Sequence, residues 1–339
     1  MYKFFRPLLF SLDPETSHQL TLHALRVAGN VRLSNWLLTQ LNKTESKPVQ
    51  AFGLTFKNPI GLAAGYDKDG IAVRGLAALG FGHIEVGTVT PQPQAGNPRP
   101  RVFRLEEDEA VINRMGFPSR GADYVADRLV HSNVQTFKRA NLVVGVNLGK
   151  NKDTPLEEAV RDYIALMKVF APLADYLTIN ISSPNTIGLR RLQNREMLEK
   201  LLGEINRERE TWNMKLPVLV KISPDLSNDE LDDAVGVILD KKMDGIIATN
   251  TTLAREGLRS KFKGESGGLS GSPLQGRSEA VLSRVVKLVN GRIPVVSVGG
   301  IMSPDDAKKR LAVGASLVQV YTGLVYRGPG FVNQIVNYL

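Results

Sequence analysis

Short apolar segments rich in β-branched residues recur along the chain from residue 60 onward, and amphipathic stretches of helical period separate them. Nearly continuous hydrophobicity over about four to eight residues is typical of strands that are buried on both faces, as in parallel sheets. Eight such strands are predicted: Ile60–Ala64, His83–Thr88, Leu142–Leu148, Tyr176–Ser182, Val218–Ser223, Gly245–Asn250, Val295–Gly300 and Leu317–Thr322.

The stretches between these strands carry helix signals. Ser227 with Glu230, and Ser303 with Asp306, place a capping side chain and an acidic residue in the first turn of a helix. Gly314 is a typical end for the second of these helices. Eight strand–helix units predict a closed (β/α)8 barrel, a TIM barrel of the α/β class, with its active site at the C-terminal ends of the strands. A doubly wound open sheet is an alternative that the strand count leaves open.

Two segments stand outside this pattern. Residues 1–45 contain two predicted amphipathic helices, Asp13–Gly29 and Val31–Leu41, ahead of a barrel that spans residues 46–339. This small helical extension either caps the barrel bottom or forms an interfacial membrane helix pair. The second segment, Leu253–Ser270, is polar and glycine-rich and is predicted to be a loop over the catalytic face.

Composition narrows the class of protein. With 339 residues, 42% hydrophobic and 23% charged, the chain is a folded globular protein. The absence of cysteine excludes disulfides, thiolate metal sites and a cysteine nucleophile, and four histidines without an HExxH pattern predict no metal centre. A net charge of +9 favours anionic partners, whether small ligands, lipid surfaces or nucleic acid. No apolar run reaches the roughly 18 residues of a membrane span, so we expect a cytoplasmic protein that touches a membrane.

Amide side chains cluster at the predicted strand ends. Asn147, Asn180 and Asn250 end the third, fourth and sixth strands, and Asn113 and Asn185 lie in neighbouring loops. Each amide offers donors and an acceptor, so several that converge can match the alternating edge of a pyrimidine or imide. The pattern predicts a planar heterocyclic ligand.

Two lysines and a glycine pair are candidates to bind the anionic groups of a ligand. Lys221 lies inside an apolar strand and Lys68 follows the first strand, and a buried lysine is costly unless it meets an anion or takes part in chemistry. Gly299 and Gly300 at the end of strand seven, with Gly323 after strand eight, match the phosphate site of such barrels.

A P-loop and a complete GxGxxG pattern are both missing, which disfavours Rossmann-type binding. Ser183 follows strand four without a GxSxG elbow, so a hydrolytic triad has no support.

These segments together resemble the dihydroorotate dehydrogenases, specifically the class 2, quinone-dependent, membrane-associated branch. The likeness runs over nearly the whole chain and is carried by the ordered motifs GLAAGYDKDG, IEVGTVTPQPQ, NPRPRVFRL, INRMGF, NLGKNKDT, NISSPNT, IATNTT, GGLSGSPL and VGGI. The resemblance implies oxidation of (S)-dihydroorotate to orotate in pyrimidine biosynthesis, with electrons passing through one FMN per chain to a membrane quinone.

The resemblance also implies site residues. Contacts to FMN would come from Ala64, Gly65, Tyr66, Asp67, Lys68, Thr88, Asn147, Asn180, Lys221, Thr249, Gly271, Gly300, Tyr321 and Thr322. Dihydroorotate would be bound by Lys68, Asn113, Arg114, Met115, Gly116, Phe117, Asn180, Asn185, Asn250 and Thr251.

Further roles follow from the same likeness. Ser183 would remove the C5 proton while C6 gives hydride to the flavin, and a water relay near Thr186 and Phe117 would assist it. Class 1 relatives use cysteine as this base, so a serine favours class 2. Lys221 would stabilise negative charge on the reduced ring, and Lys68 would pair with the substrate carboxylate.

The N-terminal helices resemble the class 2 quinone tunnel. His18, Arg104 and Tyr321 match positions between that tunnel and the flavin. The resemblance implies a peripheral monomer on an anionic membrane surface, at the cytoplasmic face of the cell membrane, with no nucleic-acid partner. The sequence departs from the expected pattern at Tyr66, at Ser272 and at the pair Pro118 and Ser119.

Two other classes of function compete with this interpretation. A Schiff-base aldolase would use Lys221 as its nucleophile, but it would leave the amides without a role. A flavin-containing RNA-modifying or nucleic-acid-binding protein would use the positive charge. The basic residues are scattered and only 6% of residues are aromatic, which disfavours the latter class.

Overall fold

The computed structural model describes residues 2–132 and 142–339. The strands in this part of the chain are β1 (Val49–Ala51), β2 (Leu54–Phe56), β3 (Ile60–Leu62), β4 (His83–Val89), β5 (Val102–Leu105), β6 (Ala110–Asn113), β7 (Val143–Leu148), β8 (Tyr176–Asn180), β9 (Val218–Ile222), β10 (Gly245–Ala248), β11 (Gly268–Gly271), β12 (Val295–Val298) and β13 (Leu317–Val320). The α-helices are α1 (Tyr2–Ser11), α2 (Pro14–Asn30), α3 (Arg32–Leu41), α4 (Val73–Ala77), α5 (Ala122–His131), α6 (Ala159–Phe170), α7 (Arg195–Thr211), α8 (Asn228–Asp240), α9 (Gln275–Val289), α10 (Pro304–Val313), α11 (Thr322–Arg327) and α12 (Phe331–Tyr338).

Eight parallel strands close into a barrel in the order β3, β4, β7, β8, β9, β10, β12, β13. The ring closes where β13 pairs with β3, with Val318 opposite Ile60. All eight predicted strands are present, and their ends agree with the prediction to within two residues. The predicted (β/α)8 barrel is therefore confirmed, and the open-sheet alternative is wrong because the sheet has no edge.

The helix caps form as predicted. Ser227 accepts the backbone N–H of Glu230, and the Glu230 carboxylate accepts the N–H of Ser227, which completes a capping box at the start of α8. Ser303 likewise accepts the N–H of Asp306 at the start of α10. These caps fix where two helices return to the outside of the barrel.

An antiparallel hairpin of β1 and β2 seals the N-terminal end of the barrel. Phe56 and Ala51 are buried there against Val143, Leu219 and Leu317, which are the first or second residues of their strands. This hairpin was not predicted, because each of its strands is only three residues long. The alternative in which the N-terminal helices cap the barrel bottom is wrong, since the hairpin already fills that end.

The N-terminal helices pack instead on the side of the barrel, near the carboxyl ends of β3 and β13. Helix α2 lies on α4 so closely that a Cβ at Gly75 would be 2.1 Å from the carbonyl oxygen of Leu25, and one at Gly29 would be 2.3 Å from the nitrogen of Gly75. Glycine at both positions permits this backbone contact. The two predicted helices are confirmed as α2 and α3, whereas α1 was not predicted.

A second small sheet lies beside the barrel mouth. Strands β5, β6 and β11 pair antiparallel in the order β11, β6, β5, with Asn113 at the end of β6 opposite Gly268 and Val102. The segment 253–270 was predicted to be a loop throughout, and this is wrong for its last three residues, which belong to β11. Pairing with β6 imposes the extended conformation on a glycine-rich sequence of low strand propensity.

The N-terminal helices expose large apolar side chains. The exposed fractions are 86% for Phe4, 68% for Leu8 and 56% for Trp36, while Lys3 is exposed beside them. None of the helices in the described part of the chain has the length and hydropathy needed to cross a bilayer.

Candidate active site

One cavity opens at the carboxyl ends of the barrel strands. It brings together most of the predicted site residues, from both the flavin set and the substrate set: Ala64, Gly65, Lys68, Thr88, Asn113, Met115, Gly116, Phe117, Asn180, Ser183, Asn185, Lys221, Thr249, Asn250, Thr251, Gly271, Gly300, Tyr321 and Thr322. These residues come from strands and loops that are distant in sequence, and the barrel topology places them around one space.

Hydrogen bonds organise the amides below and around this cavity. The Asn147 side-chain oxygen accepts from the Thr88 hydroxyl at 2.6 Å and from the Asn180 side-chain amide at 3.0 Å. Asn180 also donates to Thr88 at 2.9 Å. Asn250 in turn donates to Asn180 at 3.3 Å. Each amide therefore fixes the orientation of the next, which preorganises the set.

Asn113 and Asn185 form a second amide pair in the cavity wall. Asn185 donates to the side-chain oxygen of Asn113 at 3.0 Å, which joins the loop after β8 to the end of β6. The small antiparallel sheet is therefore part of the site, since it places Asn113 over the barrel mouth. Both amides line the cavity, with donors and acceptors available to a planar ligand.

Both lysines line the cavity wall, where Lys221 is buried and Lys68 is half-buried. Burial lowers the pKa of Lys68 to about 8, and the nearby Asp69 and Glu15 carboxylates counteract that effect. Its ammonium group donates to the Gly65 carbonyl oxygen at 2.9 Å. Burial also lowers the pKa of Lys221, while the charge of Glu85 acts to raise it. Within residues 2–132 and 142–339, no hydrogen bond or ion pair engages the Lys221 amino group, so it is available to a ligand.

Ser183 is 5% exposed and lines the cavity. Its hydroxyl oxygen accepts the backbone N–H of Asn185 at 3.2 Å. No histidine or carboxylate in the described part of the chain bonds to this hydroxyl. The Thr186 hydroxyl nearby in sequence is buried and has no partner among the described residues. Phe117 completes this side of the cavity with a positive φ of 54°.

A glycine cradle forms the far end of the cavity. Gly300 has a φ of 72°, and a Cβ there would lie 2.3 Å from the Cα of Gln275, so only glycine fits. Buried Arg310 supports the cradle from behind, since it donates to the Gly299 carbonyl oxygen at 3.3 Å and to that of Gln275 at 2.8 Å. The cradle joins a left-handed backbone to a nearby cation, which suits a bound phosphate.

A second cavity of about 310 Å³ lies between the N-terminal helices and the barrel. The predicted tunnel residues His18, Arg104 and Tyr321 all line it. Burial lowers the pKa of His18 to about 4, so the imidazole is neutral at neutral pH. The Arg104 guanidinium lies 4.1 Å from the centre of the Phe10 ring and donates to the Phe10 carbonyl oxygen.

The two cavities share part of their walls. Five residues line both of them: Lys68, Val102, Val111, Met115 and Tyr321. The arrangement thus has a polar chamber in the barrel mouth and an apolar chamber under the helices, separated by a few side chains.

Comparison with known proteins assigns this architecture. The model of the dihydroorotate dehydrogenase family matches residues 47–339. The chain belongs to the dihydroorotate dehydrogenase family. A relative from Roseiflexus sp. (strain RS-1), named dihydroorotate dehydrogenase (quinone), is 49% identical over 337 residues, which cover 99% of this chain and 92% of the relative. One from Idiomarina loihiensis with the same name is 47% identical over the full length of both chains.

Solved structures agree with this dihydroorotate dehydrogenase assignment. The crystal structure of the DHODH of Eimeria tenella in complex with ferulenol has a TM-score of 0.86 and 40% identity, and the match covers 96% of this chain and 90% of that one. The ligand-free form has a TM-score of 0.85. The resemblance to the class 2 branch is confirmed, as is the assignment to FMN-dependent oxidoreductases with a quinone acceptor. The chain therefore belongs neither to a Schiff-base aldolase family nor to a family of RNA-modifying proteins.

Four of the residues predicted to contact FMN or dihydroorotate in this dihydroorotate dehydrogenase lie outside the mouth cavity. The Arg114 side chain turns away to Glu265, at 2.5 Å. Asp67 accepts the backbone N–H groups of Ile71 and Ala72, which starts α4. Two further residues lie nearby but do not line the mouth: Tyr66 in the second cavity and Asn147 beneath the first. Arg114 and Asp67 can contribute to the mouth only through their backbone or their loops.

Sequence reasoning missed other residues of this dihydroorotate dehydrogenase site. Ser270, Leu274 and Met302 line the mouth cavity, and Arg310 supports its cradle. Glu85 was also missed as a functional candidate, although it carries the signal that identified Lys221, namely a charge inside an apolar strand. Arg310 lies in a helix of mixed polarity, and nothing in that pattern distinguishes it from a surface residue.

Proposed function

We propose that this chain oxidises (S)-dihydroorotate to orotate in pyrimidine biosynthesis, with FMN bound in the barrel mouth and a membrane quinone as the electron acceptor. The observation that carries the proposal is the pair of cavities with a shared wall. One cavity presents amides, a serine and two lysines, and the other is apolar and reaches the N-terminal helices. A flavin held by the residues of the first cavity would border the second cavity across this shared wall.

The residues present suit FMN. The cradle at Gly300 excludes any side chain and suits a phosphate, with Arg310 behind it. Lys221 offers an ammonium group that forms no direct ion pair or hydrogen bond among the described residues, and Thr88, Asn180 and Thr249 offer polar groups for a ring edge. FMN bound there supplies a hydride acceptor and passes two electrons on to the quinone. Lys221 provides fixed positive charge in a buried wall, which favours a ligand that becomes more negative.

The amides bind and orient the substrate. Asn113, Asn180, Asn185 and Asn250 present donors and acceptors that match the alternating C=O and N–H groups of the dihydroorotate ring. Lys68 supplies the cation for the substrate carboxylate. Because these amides are already hydrogen-bonded to each other, little side-chain entropy is lost on binding.

Ser183 acts as the base. Its oxygen takes the C5 proton of dihydroorotate as its own hydroxyl proton passes to a water, and the N–H that Asn185 donates to this oxygen favours the form with negative charge. We assign this water to the buried Thr186 hydroxyl, which has no partner among the described residues. The surrounding loops exclude bulk water from the reacting atoms, since Ser183 is almost fully buried.

The N-terminal helices admit the quinone and bind the membrane. Phe4, Phe5 and Leu8 on α1, with Leu33 and Trp36 on α3, form an apolar surface that we call the membrane face. Basic residues lie close to it in sequence, at Lys3, Arg6 and Arg32, and they favour an anionic lipid surface. The protein is then a peripheral monomer on the cytoplasmic side of the cell membrane.

An anaerobic titration tests the reaction. The purified protein is expected to show flavin absorbance that bleaches on addition of dihydroorotate and returns on addition of a soluble quinone. Flavin that stays oxidised in the presence of dihydroorotate would refute the substrate. Flavin that bleaches but is not reoxidised by the quinone would refute the acceptor.

Vesicle sedimentation tests the membrane face. We expect the protein to bind vesicles that contain phosphatidylglycerol more tightly than vesicles of phosphatidylcholine alone, and Phe4→Asp to weaken both interactions. Val130→Asp is the control, because Val130 is 58% exposed but belongs to α5 and not to the N-terminal helices. Equal binding by the Phe4→Asp protein and the wild type would contradict the assignment of this surface.

A further inference from the structure

Glu85 is a carboxylate at the centre of the barrel. It belongs to β4, and its exposed fraction is 0%. One carboxylate oxygen accepts from the Asn147 amide at 2.7 Å. The other accepts from the Tyr176 hydroxyl at 3.0 Å and from the Gln319 amide at 3.0 Å. Three neutral donors therefore hold a charge that lies far from water, although burial of a carboxylate is costly.

Lys221 is the cation that interacts with the Glu85 charge, through space and without a direct ion pair among the described residues. Of the ionisable side chains that share the barrel interior, burial lowers the pKa of His83 to about 3, so its imidazole is neutral. Burial, followed by the Glu85 charge, raises the pKa of Tyr176 well above its usual value, so its phenol is neutral too. The neighbouring strands β8 and β10 add no other ionisable group beside Lys221, and Lys68 lies at the mouth. Within the described ranges, Glu85 is thus the carboxylate that acts on Lys221.

Glu85 also determines which way the Asn147 amide points. Because Glu85 accepts from its nitrogen, the Asn147 oxygen is directed toward Thr88 and Asn180, and it accepts from both of them. Both of these residues line the mouth cavity. A neutral amide in place of Glu85 could turn and present either a donor or an acceptor to Asn147. A carboxylate only accepts, so it permits only this orientation of the Asn147 amide.

We propose that Glu85 is a positioning residue of this reaction, whose carboxylate balances the Lys221 ammonium group and fixes the Asn147 amide that orients Thr88 and Asn180. Glu85 acts from below the site and touches neither substrate nor cofactor. The inference rests on the proposed function insofar as it assigns Lys221 and Asn180 to the flavin and the substrate.

The Glu85→Gln variant removes the charge and retains the shape. Its new amide oxygen can still accept from Asn147, and its nitrogen has an acceptor available, because the Gln319 side-chain oxygen has no partner among the described residues. Thr178→Val is the matched control. Thr178 is a fully buried β8 residue whose hydroxyl has no partner among the described residues, so this variant disturbs the interior without changing its charge.

Two measurements on the purified flavoproteins test the inference. The first is the midpoint potential of bound FMN as a function of pH, from chemical reduction with a reference dye. The second is the limiting rate constant of flavin reduction at saturating dihydroorotate, also as a function of pH. Neither the potential nor the position of a pH limb changes when a variant merely loses stability.

For Glu85→Gln we expect a higher midpoint potential below neutral pH, because the Lys221 cation is no longer opposed by the carboxylate. We also expect the alkaline limb of both profiles to move to lower pH by about one unit or more, since a buried ammonium without its counter-charge loses its proton more easily. Thr178→Val should keep the wild-type profiles. Wild-type profiles in Glu85→Gln would overturn the inference, whatever its stability.

Glu85→Asp decides the matter if Glu85→Gln yields no folded flavoprotein. It keeps the charge but withdraws it from Asn147, so we expect an unmoved alkaline limb with slower flavin reduction. A limb displaced as far as one unit, or an unchanged rate, would overturn the inference. If dihydroorotate does not reduce even the wild type, the proposed function fails, while the midpoint potentials still test the charge of Glu85.

Discussion

Glu15 on α2 and Arg101, just before β5, form a buried two-pronged ion pair. The Arg101 Nη2 lies 2.7 Å from Oε1 of Glu15, and its Nε lies 3.1 Å from Oε2. Both side chains are less than a tenth exposed. Arg101 further donates to the carbonyl oxygen of Asn97, whose amide donates to the Asn185 carbonyl oxygen. The N-terminal helices are therefore bonded to the loop that carries a predicted substrate residue.

Loss of this pair should detach the helices. Glu15→Gln leaves the Arg101 charge buried without its partner, and we expect a loss of about 3–5 kcal/mol in the free energy of unfolding. Quinone reduction should fall more than flavin reduction by dihydroorotate, because α2 forms part of the second cavity. Stopped-flow measurement of the two half-reactions separates these effects. Glu199→Gln, which breaks an exposed pair with Arg195, is the control and should cost less than about 1 kcal/mol.

The same pair predicts sensitivity to acid. Burial would raise the pKa of Glu15, but the hydrogen bonds and charges of Arg101 and then Arg99 outweigh burial and lower it. Its stabilising contribution is complete above the unfolded value of 4.5 and is lost as the pH falls through the lower folded value. Equal acid sensitivity of the wild type and Glu15→Gln, in urea denaturation at several pH values, would contradict this.

Lys68 predicts how substrate affinity changes with pH. Its pKa is lowered to about 8 by burial, and the protonated form is the one that attracts the substrate carboxylate. The KM for dihydroorotate should therefore rise above pH 8, by about tenfold per unit at the steepest. In Lys68→Arg the guanidinium stays charged, so the KM should be higher but flat between pH 7 and 9. A flat wild-type profile would show that Lys68 is not the cation that binds substrate.

Ser183→Ala should separate binding from chemistry. The hydroxyl accepts one backbone N–H and otherwise faces the cavity, so its loss should leave the fold, the FMN content and the binding of orotate intact. Without the base, flavin reduction by dihydroorotate should slow by about 10²- to 10⁴-fold. Rapid-reaction absorbance at the flavin maximum measures this rate, and a variant that retains the wild-type rate would refute the assignment of Ser183.

Gly300→Ala should release the cofactor. The added Cβ would lie 2.3 Å from Gln275 at the cradle, and we expect FMN to bind at least about tenfold more weakly, or about 1.4 kcal/mol. Gly291→Ala is a close control, because Gly291 has nearly the same φ, 73°, but nothing within 4 Å of its Cβ. The ratio of flavin to protein absorbance after dialysis gives the comparison. Equal retention of FMN in both variants would show that the cradle at Gly300 does not bind the cofactor.

Much of the fold follows from local patterns. A parallel barrel buries its strands on both faces, so each strand is an apolar segment that can be recognised without its partners. Helices α2, α8 and α10 carry their own caps or apolar stripes. The elements that were missed depend on contacts distant in sequence. Strand β11 is extended because β6 pairs with it, and the β1–β2 hairpin is too short to show a period.

The site follows the same division. Residue types at strand ends predict what gathers at the mouth, and nearly all the predicted lining residues are there. The direction in which a side chain points cannot be predicted in this way. A position at a strand end does not show that Arg114 turns to Glu265 or that Asn147 lies beneath the cavity. Arg310 reaches the cradle from a helix on the far side of the sheet, a contact that only tertiary packing creates. The boundary at residue 45 stays a prediction.

The shared wall of Lys68 and Tyr321 also matters for the discovery of inhibitors. A colourless molecule that lodges among the N-terminal helices presses on side chains that border the chromophore's chamber. Binding of such a molecule should shift the absorbance spectrum of the oxidised flavoprotein. A plate reader can record that shift without turnover, radiolabel or coupled dye. The holoprotein is in this sense its own assay for anything that fills the apolar chamber.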